Sequence, residues 1–319
     1  MNLLSWNCRG LGNLQTVLVL HNLVKSKGPT VLFLMETKLD ICGMESIRVK
    51  LGFKFCFSVS CLGRSGGLAL LWNDPAQITI QNFSQNHVDT YVQLVDGAKW
   101  RFTGFYGHLE GHRKWESWVL MDKLHSLNNA LWLCMGDFNE ILSLSERFGE
   151  VLGSTRQMQD FGDVVNWCGL IDLGFRGIPF TWENMRDNEA LIQKRLDRAL
   201  ANAAWLDCFN LCSVSHVVYS YSDHVPLLLH MDASIRYCQP KRRPRKFEEK
   251  WSLHLECEAI IQDVWSHEEA IGSPMFILCE KIKHCREALY RWYKDVSGEF
   301  QSKIKVHTTS LTSLIYYIN

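Results

Sequence analysis

The sequence predicts an α/β protein in which two central β-sheets carry helices on their outer faces and a helical extension follows. Three observations predict it. Short apolar runs, each closed by a polar motif, recur from residue 1 to about 232. Amphipathic helices and turn signals separate those runs. Near residue 233 the composition changes, and a basic, proline-broken run leads into helical sequence rich in Glu, Lys, Leu and aromatics.

The elements follow in order. Asn2 to Trp6 is a short apolar run ended by Asn7, and Val31 to Met35 is a continuous one ended by Glu36; such runs, bounded by turn residues, read as buried strands. Between them Leu14 to Lys27 places Leu14, Val17, Leu18, Leu20 and Val24 at helical spacing, with Gly28-Pro29 as the stop. Ser65-Gly66-Gly67 is a flexible turn introducing a strand over Leu68 to Trp72. Ile78 to Phe83, Tyr91 to Val95 and Lys99 to Phe105 read as successive antiparallel strands, with Asp96-Gly97 as a hairpin turn. A second helix spans Arg113 to Leu127, the strand Leu131 to Met135 leads to Asp137, and a third helix runs from Met158 to Trp167. Phe180-Thr181-Trp182 and Ile192 to Leu196 flank a polar loop, and the last strands are Ser213 to Tyr219 and Val225 to Met231. Leu253 to Trp265 and Phe276 to Val296 read as helices. The expected division is an α/β domain over 1–232, a basic linker over 233–247 and a helical region over 248–319.

Composition narrows the function classes. A chain of 319 residues that is 47% hydrophobic supports a sizeable core. Lys+Arg and Asp+Glu both number 34, so any nucleic-acid footprint must be local rather than global. No stretch approaches the roughly 18 apolar residues of a membrane span, and the N-terminus lacks the basic and apolar segments of a signal peptide. Twelve cysteines without such a signal read as reduced thiols. Cys208, Cys212 and His216 share an i, i+4, i+8 spacing, but with no fourth ligand and no Cys-x-x-Cys they read as core residues rather than a zinc site. Lys241-Arg242-Arg243-Pro244-Arg245-Lys246 fits a nuclear localisation signal, a phosphate-backbone contact or a solvated linker equally well.

The polar motifs carry the chemistry. In order they are Ser5-Trp6-Asn7, Met35-Glu36-Thr37, Gly104-Phe105-Tyr106-Gly107, Gly136-Asp137-Phe138-Asn139, Arg195-Leu196-Asp197 and Ser222-Asp223-His224. One Asp-Phe-Asn alone reads as readily as a turn. The whole series, each member at a strand end, supplies carboxylates, amides, a phenol and an imidazole that can converge on one rim of a sandwich. That inventory suits metal-assisted attack on a phosphate ester.

The series resembles the endonuclease/exonuclease/phosphatase superfamily, whose fold is the DNase I-like four-layer α/β sandwich, over roughly residues 1 to 232. Within it, four stretches are similar to the endonuclease domain of plant LINE-type (non-LTR) retrotransposons. They are Ser5 to Gly12, Ser65 to Trp72, Gly104 to His108, and Phe180-Thr181-Trp182 with Lys194-Arg195-Leu196-Asp197-Arg198. The segment from Lys246 to about Ile304 looks like the helical connector that precedes the reverse transcriptase in those elements, whose hallmark Tyr-Ala-Asp-Asp does not occur here.

The resemblance implies a role for each matched residue. Glu36, Asn7 and Asp223 would lie at a Mg²⁺ ion, with Mn²⁺ able to substitute. Asp137 would orient or deprotonate the attacking water as an ionised carboxylate, and Asn139 would hold that water or a phosphoryl oxygen. His224 would stabilise transition-state charge, Asp197 would pair with it and raise its pKa, and Tyr106 would donate to a phosphate oxygen. Arg9, Thr181, Trp182 and Arg195 are the expected nucleic-acid contacts. Arg9 stands where abasic-site endonucleases carry an aspartate, which argues against abasic-site repair. The expected function is a DNA-nicking, Mg²⁺-dependent endonuclease that leaves a 3′-hydroxyl on duplex DNA, nuclear, with no membrane and no obligate protein partner. A phosphomonoesterase of the same fold and a catalytically silent remnant are the alternatives.

Overall fold

Alternate residues of the first strand face different layers. β1 (Asn2–Asn7) sends Leu3 into the space between two sheets, and Leu4 and Trp6 outward beneath helices. The same division holds for β2 (Val31–Met35), where Val31, Phe33 and Met35 point inward and Leu32 and Leu34 outward. Both faces are covered, which is why these strands read as continuous apolar runs rather than as alternating ones. The computed structural model describes residues 1–63, 65–93, 99–128, 130–149, 155–186, 190–218, 222–231, 251–252, 254–267, 272–278 and 280–293.

The first sheet joins β1 and β2 to β3 (Phe55–Val59), β4 (Leu68–Trp72), β14 (Ser213–His216) and β15 (Leu227–His230), in the order β14-β15-β1-β2-β4-β3. The second is built from β5 (Gln77–Phe83), β6 (His87–Gln93), β7 (Lys99–Tyr106), β8 (Trp132–Asp137), β10 (Leu170–Asp172) and β13 (Asp197–Asn202), in the order β10-β13-β8-β7-β6-β5. Helices α1 (Leu14–Lys27) and α2 (Ile41–Leu51) cover the outer face of the first sheet through Val17, Leu20, Leu23, Met44 and Ile47. Helices α3 (Lys114–Ser126) and α4 (Thr155–Trp167) cover the second through Trp118, Met121, Leu124, Phe161 and Val165. Between the sheets, Phe33 lies so close to Gly104 that a Cβ at the glycine would sit 2.5 Å from the ring. The four-layer sandwich is the fold expected from the sequence.

Topology then decides where the strand ends meet. Most pairings are antiparallel, but β1 with β2 and β7 with β8 are parallel. Parallel neighbours require a crossover, which α1 and α3 supply, so within each pair the carboxyl ends share one edge. Asn7 and Glu36 end the first pair, while Tyr106 and Asp137, partners in register, end the second. β13 runs antiparallel to β8 and begins at that edge with Asp197 opposite Asp137. β15 runs antiparallel to β1, which brings Asp223 and His224, just before it, to the same rim. A small sheet of β9 (Arg147–Phe148), β11 (Trp182–Glu183) and β12 (Gln193–Lys194) stands beside them, with a bridge from Trp182 to His224.

Several elements differ from the sequence reading. Helix α2 and strand β3 were not expected, although Asp40 caps the helix by accepting from the Gly43 N–H at 2.7 Å and Gly52 closes it in the left-handed region. Cys208 ends the short helix α5 (Ala203–Cys208) while His216 lies on β14, so the i, i+4, i+8 spacing never lines one helical face. The chain divides into two compact units, Met1–Arg236 and Tyr237–Asn319. In the second, α6 (Leu255–His267) and helical residues 274–278 and 280–293 form a small core of Trp251, Cys257 and Leu289 with Ile260, Ile261, Trp292 and Tyr293. The Asp96-Gly97 turn, the linker and the basic run Lys241 to Lys246 lie outside the described residues.

Candidate active site

The local backbone holds the rim residues in unusual conformations. Glu36 (φ 52°) and Asn139 (φ 54°) both sit in the left-handed region, which asparagine tolerates but which costs glutamate of order 1 kcal/mol or more and persists there only where neighbours over-determine it. For Glu36 the neighbours are Gly66 and Gly67, whose carbonyls accept from Lys38 at 3.0 Å and Thr37 at 3.1 Å. A Cβ on Gly67 would stand 2.5 Å from the Thr37 hydroxyl, so the Gly-Gly pair is what lets this turn pack. Gly136, just before Asp137, is equally confined, since a Cβ there would meet the Phe105 carbonyl at 1.9 Å.

Asn7 joins the two sheets at the rim. Its Nδ2 donates to Glu36 Oε1 at 3.1 Å and to Asp137 Oδ2 at 3.0 Å. Tyr106 donates its phenol to the same Glu36 oxygen at 2.9 Å. The imidazole of His224 bonds through Nδ1 to Asp197 Oδ2 at 2.8 Å, and its Nε2 lies 3.7 Å from Asp137 Oδ2. The backbone behind is pinned: the Trp6 indole donates to the His224 carbonyl at 3.0 Å, and Ser222 Oγ donates to the Asn7 carbonyl at 3.0 Å while accepting the His224 N–H at 3.1 Å. Asn139 braces Asp137, donating its N–H to Oδ1 at 2.9 Å and its side-chain amide to the Gly107 carbonyl at 2.9 Å. Asp137, Asp197 and His224 thus form a buried acidic and imidazole cluster.

Electrostatics poises this cluster for proton transfer. Burial pulls the His224 imidazole down, but Asp197 and then Asp137 outweigh it and push it up to about 9, so it is an imidazolium at neutral pH. Burial and the adjacent Asp197 push the Asp137 carboxyl up to about 7, against the opposing pull of His224 and Asn7. The sequence reading had Asp137 as a plain ionised carboxylate; burial and the adjacent Asp197 raise its pKa above the usual carboxylate range. Burial also pushes Glu36 up, yet hydrogen bonds from Asn7 and Tyr106, with Lys38 nearby, hold it below the usual range. The Tyr106 phenol is driven well above its ordinary value by burial and by the carboxylates of Glu36 and Asp137, which keeps it a neutral donor.

The remaining expected residues divide. Arg9 donates through Nη1 to Asp223 Oδ2, and its Nε is 3.9 Å from Glu36 Oε2. Trp182 is half-buried and holds Asp223 through its indole N–H at 2.9 Å. Two of the expected nucleic-acid contacts are corrected. Thr181 is fully buried, its hydroxyl accepting the N–H groups of Leu196 and Asp197, both at 2.9 Å. Arg195 is buried against Asp172 and Glu146, each at 2.8 Å, beside Arg198, which pairs with the same two carboxylates. Neither presents a surface to DNA; Thr181 positions Asp197, and Arg195 belongs to an internal ion network. Tyr106, expected at a phosphate oxygen, spends its hydroxyl on Glu36. Sequence reasoning missed Lys38, whose Nζ is 3.6 Å from Glu36 Oε2; its signal was its place two residues after Glu36.

The residues fit a divalent cation bound through oxygen. Glu36 and Asp223 converge around Arg9, and the buried Asp223 Oδ1 has no hydrogen-bond partner. A hard cation accepts carboxylates such as these and retains waters for its other positions.

Comparisons with known proteins agree with this geometry. Residues 4–224 match the profile described as "Endonuclease/Exonuclease/phosphatase family". No curated protein matches the chain. Among solved structures, a 3′-5′ exonuclease (NExo) from Neisseria meningitidis is similar at 18% identity and TM-score 0.58, covering 73% of this chain and 100% of its own. An AP endonuclease from Leishmania major is similar at 17% identity and TM-score 0.56, covering 72% of this chain and 87% of its own. The endonuclease domain of TRAS1, a telomere-specific non-LTR retrotransposon, is similar at 12% identity and TM-score 0.56, covering 73% of this chain and 99% of its own. At these identities the structures speak for the fold, and the profile, which spans most of the chain, speaks for descent: the chain belongs to the endonuclease/exonuclease/phosphatase family.

Proposed function

We propose that this chain is a Mg²⁺-dependent endonuclease of LINE type that nicks duplex DNA and leaves a 3′-hydroxyl. The observation that carries the reading is the bridge made by Asn7, which ties the Glu36 carboxylate to a buried Asp137–His224–Asp197 array. One side of the bridge suits a metal ion and the other suits a water and a phosphoryl oxygen.

Glu36, with Asp223, would hold the Mg²⁺, which when bound would supply polarisation of a non-bridging phosphate oxygen. Asp137 accepts a proton from the attacking water, and a carboxyl titrating near 7 is matched to that task. The water oxygen bonds to phosphorus as the bond from phosphorus to the 3′-oxygen breaks, and the departing 3′-oxygen takes a proton from solvent to become the hydroxyl. His224, held as imidazolium by Asp197, donates toward the charge that builds on the phosphoryl oxygens. Tyr106 and Asn7 fix the Glu36 carboxylate from two sides. DNA as substrate draws on the LINE-like motifs, on the half-buried Trp182 beside Asp223, and on similarity to a structure of the Neisseria 3′ phosphatase NExo bound to product DNA hairpin. A nuclear location rests on the basic run Lys241 to Lys246.

The test is relaxation of supercoiled, lesion-free plasmid with Mg²⁺ and with EDTA. Mg²⁺-dependent nicking that weakens steeply as salt rises is expected. Cleavage confined to a duplex carrying an abasic analogue would move the protein to repair, and phosphate release from a soluble inositol phosphate alone would make it a phosphomonoesterase.

A further inference from the structure

Arg9 is a half-exposed cation set between two more deeply buried carboxylates. The loop after β1 is laced to the loop after β2, with Cys8 N–H donating to the Met35 carbonyl at 3.1 Å and Leu11 N–H to the Thr37 carbonyl at 3.0 Å. Arg9 itself takes a left-handed backbone (φ 49°), and its N–H donates to Asn7 Oδ1 at 3.3 Å. From this anchored backbone the side chain crosses the rim to Asp223 and Glu36. The exposures are unequal: the Arg9 side chain is 52% exposed, against 16% for Glu36 and 4% for Asp223. Glu36 is held by Asn7 and Tyr106, and Asp223 by Trp182, all neutral donors. The acids are therefore preorganised without Arg9, and the guanidinium is the partner free to leave.

We propose that Arg9 is an internal counter-cation that occupies the cation position between Glu36 and Asp223 and yields it to the divalent metal. This deepens the metal reading of the site and rests on it. Two carboxylates without a cation between them repel each other, and the guanidinium neutralises them, hydrogen-bonded to Asp223 and with its Nε 3.9 Å from Glu36. A metal ion must displace that pairing, so its apparent affinity is the intrinsic one scaled by the fraction of molecules in which Arg9 has left the carboxylates. Lys38 carries the same charge at 3.6 Å from Glu36 but has no contact with Asp223, so it lowers metal affinity only through its field.

The experiment is calorimetric titration of the DNA-free native chain, Arg9→Gln, Lys38→Gln and Glu36→Gln with Mn²⁺ alone, alongside thermal melts in EDTA. Arg9→Gln should bind Mn²⁺ about tenfold more tightly than the native chain, as release from a mostly occupied closed state implies. It should melt lower in EDTA and regain that loss on adding Mn²⁺, whereas Lys38→Gln should change affinity much less. Equal affinity in native chain and Arg9→Gln, with binding abolished by Glu36→Gln, overturns the counter-cation while leaving the metal site intact. An equal gain in Lys38→Gln also overturns it, because bulk charge then accounts for the effect. If the native chain and Arg9→Gln both fail to bind Mn²⁺ at millimolar concentration, the metal reading falls and the counter-cation falls with it.

Discussion

At the scale of single residues, Glu36 and His224 do separable work. Glu36→Gln keeps the shape and the bonding to Asn7 and Tyr106 but removes the charge. Plasmid nicking should fall by at least about 10², while the far-UV circular dichroism spectrum is retained; undiminished Mg²⁺-dependent nicking by this variant sinks the metal assignment. His224→Ala should cost on the order of 10² in rate, as expected for a lost charge stabiliser. Asp197→Asn should cost less, because it acts through the imidazole it faces at 2.8 Å. The double variant should be little worse than His224→Ala alone; rate losses that simply multiply would mean the two residues do not act as a pair.

At the scale of elements, the buried ion network decides how β13 presents Asp197. Arg198 on β13 is fully buried and pairs with Asp172 at the end of β10 and Glu146 in the loop before β9, both at 2.8–2.9 Å. It also donates to the Arg195 and Glu140 carbonyls, so one guanidinium closes several loops behind the site. Arg198→Met removes the pairing and leaves two acids to share Arg195. A loss of about 3–5 kcal/mol in urea-unfolding stability is expected, the usual cost of breaking a buried pair from one side. A loss within about 0.5 kcal/mol, typical of an unconstrained surface position, would show that the network is dispensable.

At the scale of the whole molecule, the buried histidines His87 and His216, among the described residues, couple folding to pH through their lowered titration. Burial pushes His87 and His216 each down to about 4, and His216 is stacked on Phe175 at 4.3 Å with Nδ1 donating to the Ile178 carbonyl at 2.6 Å. Unfolding frees each to its ordinary value of about 6.5. The unfolded chain therefore binds more protons between about 4 and 6.5, and this contribution to stability is complete above that window and lost as pH falls through it. Asp137, raised from 3.8 to about 7, works in the opposite sense across the whole of that interval, so one histidine is best isolated by substitution. His216→Gln should flatten the stability profile between pH 4 and 6.5 by about 1.4 kcal/mol per pH unit relative to the native chain. An unchanged slope would place the His216 titration outside that window. Truncation is the second test at this scale. The fragment Met1–Arg236 contains both sheets and every candidate site residue, and we expect it to unfold cooperatively by itself. An insoluble or unfolded fragment would make the C-terminal unit part of the core.

What the sequence by itself determined is the layered α/β class, the elements with strong apolar runs and the inventory of the site. These are local: a strand buried on both faces needs a continuous apolar run, and a helix stop needs its glycine, as at Gly28. Helix α2 escaped because its apolar positions are weakly patterned and only its caps mark it, and strand β3 because it is five residues long and only partly buried. Thr181 and Arg195 were misread because a polar side chain in a motif looks the same whether it faces solvent or a buried partner; only the packing of β13 against β10 and the β9 loop gave Arg195 two acids and Thr181 two backbone donors. The titration of Asp137 near 7 and the bridging of Glu36 and Asp223 by Arg9 were equally invisible. Asp137 and Asp197, like Arg9 and Asp223, are far apart in sequence, and charge interactions depend on distance and burial, which tertiary structure alone sets.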